Sequence, residues 1–194
     1  MIKYASEWTQ YQALWDINPS QIFEFLGKDL AKWQQLLMEI KKARLTFDNS
    51  SDRKEFGHAS VLYEKVQGKV MAKYDSLQRE VVLQFGSLML ENMKQFHGEL
   101  SNSRIQLESQ SFESESTASA VSLVTYVQSV KKKIPEWAEE IDLFLSGQKL
   151  LEKQRYSFPN DWIYVENISG EWSAFNEIFN RKSTSIQDKL GRYI

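Results

Sequence analysis

The chain has 194 residues, with 24 basic against 26 acidic side chains, a formal charge of −2, no cysteine, and only 8 glycines and 3 prolines. Near-neutral charge argues against a general nucleic-acid binder and against a basic membrane-surface module, and the lack of cysteine excludes disulfides, thiolate metal sites and cysteine nucleophiles. Turn-forming residues are too scarce for a sheet-rich fold, no apolar run reaches the roughly 18 residues of a membrane span, and the opening MIKYASEWTQ lacks the apolar core of a signal peptide, so the expectation is a soluble protein of long helices.

The first helix is expected over about residues 4–17, where Trp8, Tyr11, Leu14 and Trp15 recur at steps of three and four. Asn18-Pro19 ends it, and Ser20 is placed to cap a second helix over about 21–45 with the stripe Ile22, Leu26, Leu30, Trp33, Leu37, Ile40 and a soft point at Gly27. FDNSSDRKEFG, residues 47–57, reads as a loop or a loop with one turn. A long helix then covers about 59–110. Its positions Val66, Val70, Tyr74, Leu77, Val81, Phe85 and Leu88 advance by 4, 4, 3, 4, 4, 3, and the stripe continues through Asn92, Phe96, Leu100 and Leu107. At full length such a rod measures roughly 75 Å, with a bend expected near Asn92 and Gly98.

The Ser- and Glu-rich SQSFESESTAS makes a turn, and Thr117 or Ser119 caps a helix over about 119–155. Its heptad is the cleanest in the chain: Leu123, Val127, Val130, Ile134, Trp137, Ile141, Phe144, Gln148, Leu151. Pro135 lies inside it, and because the stripe keeps phase across the proline, a kink is expected rather than two elements. The last helix, about 164–190, carries Val165, Ile168, Trp172, Phe175, Phe179, Lys182 and Ile186. The fold class expected is all-α: an elongated antiparallel bundle of about five long helices with coiled-coil-like packing, spanning 1–194 as one segment.

Chemistry finds little purchase. FLGKDL and VQGKVM lack the upstream glycine and the hydroxyl of a phosphate-binding loop. His58 and His97 are too far apart on a helix to share a metal, Glu136, Glu139 and Glu140 lie beside lysines on a wet face, and the serine-rich stretch has no histidine partner. The expectation is no catalytic, cofactor or metal residue. Two features remain. Lys131, Lys132 and Lys133 form a basic run suited to an acidic partner or a lipid head group, alone or with Lys41 to Arg44, although such runs are commonly just solvated faces. Phe158, Pro159, Trp162, Tyr164 and Trp172 form an aromatic corner between the last two helices: Phe158-Pro159 ends one, Asn160-Asp161 turns and caps, and Trp162 with Tyr164 covers the open end.

At that corner a family resemblance appears. GQKLLEKQRYSFPNDWIYVENISGEWSAFNEIF, residues 147–179, resembles the segment of cytoplasmic dynein heavy chains just ahead of the linker that leads into the motor ring. YQALWD, LAKWQQLLMEIKKARLTFDN, KEFG, YEKVQGKVMAKYD and AVSLVTYVQSVKKKI agree with the same family in the same order, so the resemblance covers essentially the whole chain; Pro135 is a departure. It implies a helical segment of the heavy-chain tail, or stem, of a homodimeric, ATP-driven, minus-end-directed microtubule motor in the cytoplasm. Nucleotide and microtubule sites would then lie elsewhere in the longer protein. The partners implied are the rest of the heavy chain and, beyond it, dynein intermediate and light intermediate chains, dynactin and cargo adaptors, with no nucleic acid and no membrane. The function expected is transmission of force between cargo-binding tail and motor. A spectrin-like adaptor or scaffold domain is the alternative, and a membrane-curving helical dimer a third.

Overall fold

The computed structural model describes residues 9, 11–48, 51, 53–109 and 117–190. Helix α1 is described over residues 11–16, followed by α2 (Pro19–Leu26), α3 (Leu30–Asp48), strands β1 (Arg53–Phe56) and β2 (Ala59–Leu62), then α4 (Glu64–Ser109), α5 (Thr117–Lys153) and α6 (Val165–Leu190). Trp8 and residues 110–116 of the serine-rich turn lie outside the described residues. The chain divides into two compact units, Met1–Leu88 and Met89–Ile194, with α4 contributing to each.

In the first unit the helix expected over 21–45 is divided. Gly27 takes φ +54 after α2, a conformation that costs glycine little and other residues much, and its amide closes α2 on the Phe23 carbonyl. Asp29 then starts α3, its carboxylate accepting from the Lys32 amide at 3.2 Å. Trp33 locks the break: it is buried, donates Nε1–H to the Gly27 carbonyl at 3.0 Å, and meets the Phe23 ring at 5.1 Å. The cap of α2 is Asn18, whose side chain accepts from the Ser20 amide, with Pro19 as the first helical residue; Ser20 is not the cap.

The second difference is a β-hairpin where a loop and the start of a helix were expected. β1 and β2 pair antiparallel, Arg53 opposite Leu62 and Phe56 opposite Ala59, around a two-residue turn at Gly57-His58. Gly57 has φ +62, as tight hairpin turns require. All four residues of β2 are exposed. The long helix therefore begins at Glu64, and Val66 is exposed rather than in the core. From Val70 the expected stripe holds: Val70, Tyr74, Leu77, Val81 and Phe85 are buried. Arg44 of α3 reaches Asp75 of α4 at 2.8 Å. Trp15, expected on a buried stripe, is half exposed.

In the second unit, α4 buries Met89, Met93, Phe96, Leu100 and Leu107. Met89 and Met93 take the core places that the sequence suggested for Leu88 and Asn92, which are only partly covered. On α5 the whole heptad is buried except Ile134, which is half-buried. α5 runs through Pro135 as one helix. Pro135 and Lys131, whose carbonyl loses its partner to the proline, are both exposed, so water can satisfy that carbonyl. Side-chain pairs fix the directions. Lys94 pairs with Asp161 in the turn before α6 and Arg104 with Glu171 on α6, so the chain from the turn into α6 advances in the same direction as α4. Glu99–Lys133 and Ser103–Tyr126 step forward on α4 and backward on α5, so α5 runs against it.

Candidate functional site

The corner between α5 and α6 is built from the end of α5 outward. Arg155 sits at φ +56, and around it the Tyr156 amide reaches the Leu151 carbonyl while the Arg155 amide reaches that of Glu152, both at 3.0 Å. This double closure is the Schellman motif, made here with arginine where glycine is usual. The chain then runs through Phe158-Pro159, and the Trp162 amide closes a turn on the Pro159 carbonyl at 3.0 Å.

Four aromatic rings fill the turn. Phe158 lies 4.7 Å from Trp162, 5.3 Å from Tyr156 and 5.8 Å from Tyr164, measured between centroids. Trp162 is buried, with its Nε1–H lacking a hydrogen-bond partner among the described residues. Tyr164 is exposed at the rim, so the covering role expected of the pair falls to Trp162 with Phe158 and Tyr156. Trp172 is not part of the corner. It lies on α6 and stacks on Phe175 at 5.6 Å, edge-on to Trp137 at 6.3 Å. Trp137 in turn meets Phe96, and Phe96 meets Phe144, so rings from α4, α5 and α6 form one spine. Aromatic pairs of this kind add about 0.5–1.5 kcal/mol beyond the area they bury.

Asn160-Asp161 does not cap α6. Asp161 precedes the helix by four residues and instead pairs with Lys94, which holds its carboxyl below the usual carboxylate range. Tyr164 is the residue whose carbonyl takes the first helical bonds, from Asn167 and Ile168. The cap comes from α5: the buried side chain of Gln148 accepts from the Val165 amide at 2.9 Å and donates to Glu152 at 3.2 Å. A glutamine at a heptad core position was the sequence signal for this role, since a buried amide needs partners that a leucine would not. Nearby, Arg104 joins Glu108 and Glu171, and hydrogen bonding to Glu171 raises its pKa further.

The basic run separates on inspection. Lys133 pairs with Glu99 at 2.7 Å and lies 5.6 Å from the centre of the Trp137 ring; its pKa is raised chiefly by the Glu99 hydrogen bond. Lys131 and Lys132 point outward. Lys41 to Arg44 belong to the other unit. Glu140 is held above its ordinary pKa by burial and by the Glu99 charge. An open groove of about 550 Å³, its surface near-evenly polar and apolar, lies between α4 and α5, bordered by Lys94, Asn102, Tyr126 and Lys133. Among the described residues no group of three or more His, Asp or Glu side chains is placed to hold a metal, and no helix is long and apolar enough to cross a membrane.

The class defined by these features is a helical-bundle module in which charged and aromatic side chains fix how helices meet. Comparison with known proteins then supplies the family. The chain is 46% identical over 187 residues to the cytoplasmic dynein heavy chain of Drosophila melanogaster, 47% over 188 to that of Dictyostelium discoideum and 43% over 188 to that of Caenorhabditis elegans, covering 96–97% of this chain each time. No family model matches. Over nearly all its length the chain is thus homologous to a segment of cytoplasmic dynein heavy chains, and it spans about 4% of the length of those curated relatives.

Proposed function

We propose that the chain is a non-catalytic part of a cytoplasmic dynein heavy-chain tail, the stretch just ahead of the linker, and that it passes force between cargo-binding tail and ATPase motor during minus-end-directed movement on microtubules. It works in the cytoplasm, as part of a heavy-chain homodimer that associates with intermediate and light intermediate chains, dynactin and cargo adaptors. The observation that carries the reading is the triple fixing of α6 and the turn that leads into it: ion pairs from α4 to Asp161 and Glu171, an end cap from Gln148 of α5, and an aromatic spine shared by all three helices. Two anchoring helices suppress sliding and swinging together, which suits an element under load better than a flexible tether.

The test uses the complete heavy-chain dimer with Gln148→Ala and Arg104→Ala combined. Single-molecule trapping is expected to show a lower stall force, with ATP turnover per motor and subunit composition unchanged. Full force with the clasp broken would refute the strut, and loss of an accessory chain would transfer the assignment to the adaptor reading.

A further inference from the structure

The hairpin of β1 and β2 is a sheet of two strands, a size that is only marginally stable on its own in water. Its register decides which backbone groups face outward. With a two-residue turn, Phe56 with Ala59 and Lys54 with Val61 are the hydrogen-bonded pairs, so the amides and carbonyls of Arg53 and Glu55 on β1, and of Ser60 and Leu62 on β2, point away from the neighbouring strand. The two edges are finished differently. On β1 the Ser51 hydroxyl closes the Arg53 position, accepting from its amide at 3.4 Å and donating to its carbonyl at 2.7 Å, and the Ser51 carbonyl accepts from Gln67 of α4 at 3.3 Å. Exposed Arg53 and Glu55 add charge there, a common guard of a free edge. On β2 the outward backbone groups of Ser60 and Leu62 meet no partner among the described residues, and Ala59-Ser60-Val61-Leu62 is exposed throughout without a charge, a proline or a bulge.

We propose that the outer edge of β2 pairs with the same edge of a second copy of the chain, making a four-stranded sheet. The strand is self-complementary. Laid antiparallel about a two-fold axis at Val61, Ser60 faces Leu62 of the other copy as a hydrogen-bonded pair on either side of the axis, which uses the outward groups of both strands. Val61 then meets Val61 of the other copy at the closer, non-hydrogen-bonded spacing, where β-branched side chains pack well. No like charges oppose each other across the seam, since β2 carries none. Four residues a side bury far less than the roughly 1,600 Å² of a standard interface, so the pairing is weak and needs a high local concentration. The inference stands on the hairpin alone and does not rest on the strut reading.

The chain has no cysteine, so a single introduced thiol reads the register. The test incubates Val61→Cys and Leu62→Cys, each in the whole chain, at high concentration in a glutathione redox buffer. Disulfide-linked dimer is expected at least tenfold faster from Val61→Cys, whose Cα atoms would stand about 4.5 Å apart, than from Leu62→Cys, whose Cα atoms at roughly 8 Å lie beyond disulfide reach. Random collision gives the opposite order, because Leu62 is 68% exposed and Val61 38%. Adding Ser60→Pro to Val61→Cys removes an outward donor without touching the bonds between β1 and β2, and should slow the dimer tenfold or more; slow hydrogen exchange at Ala59 checks that the hairpin survives the proline. Equal rates, a faster Leu62→Cys dimer, or a rate that the proline leaves unchanged overturns the proposal. No dimer from either variant overturns it as well, and binding of an extended valine–threonine peptide in that case would make another polypeptide the occupant.

Discussion

The two compact units treat their apolar surface differently. In Met89–Ile194 the stripes of α5 and α6 are covered almost throughout, and polar side chains at their edges are spent inside the unit: Gln148 on α6, Lys94 on Asp161, Arg104 on Glu171, Lys133 on Glu99. In Met1–Leu88 one stripe of α3 is covered, Met38 and Leu45 are exposed, and the hairpin exposes Val61 and Leu62. A helix with one stripe completes its packing with its neighbours in the fold. The second unit also leaves single apolar side chains in water, Ile105, Val121 and Leu145 among them, so the lesson is that its rigidity comes from the polar clasps at the edges of its covered stripes.

The largest test of that contrast is Trp137→Ala. It removes the ring that joins Phe96, Trp172 and Phe175, and the loss should be about 3–5 kcal/mol in denaturant unfolding. Trp172→Ala should cost less, because Trp172 is only partly buried. By contrast, Met38→Ser on the open face should shift stability by no more than about 0.5 kcal/mol; a loss comparable to Trp137→Ala would erase the distinction between the units.

Next comes Gln148→Leu, which leaves the Val165 amide unsatisfied inside the second unit and should destabilise by about 1–3 kcal/mol despite being more apolar. Hydrogen exchange at the start of α6 should rise with it. An unchanged or raised melting point would mean that Gln148 is merely tolerated in the stripe.

Arg155→Gly should act in the other direction, relieving a left-handed arginine and stabilising by about 0.5–1 kcal/mol. The smallest effect concerns pH. Because Glu140 has a folded pKa above its unfolded one, folding is penalised once pH passes that raised value and is not penalised below the unfolded pKa near about 4.3. Glu140→Gln should therefore be more stable than the parent at neutral pH, with the gap closing as pH falls. A gap that widens on acidification would contradict the assignment.

Much of the second unit was legible in the chain itself. The heptad from Leu123 to Leu151 and the spacing of Val165, Ile168, Phe175 and Phe179 name core residues because helical periodicity is a local property. The aromatic corner was legible as a location but not in its roles. Asp161 looked like a cap and became the partner of Lys94, while Gln148, the actual cap, lies 17 residues before Val165. Neither assignment depends on near neighbours in sequence, so no window along the chain contains it.

The sequence by itself determined the helical class, the place of most buried stripes, the absence of cysteine chemistry and the family resemblance, since all of these reside in residue identity and spacing. Tertiary structure alone decided that α3 separates from α2 at Gly27 under the Trp33 hydrogen bond, that residues 53–62 pair as strands, that Met89 and Met93 outrank Leu88 and Asn92, and that α4 pairs with Asp161 before α6 and Glu171 on it. The physical reason is common to them. Periodicity marks a side of a helix as apolar, but which neighbour covers that side, and whether any does, depends on contacts between residues far apart in the chain.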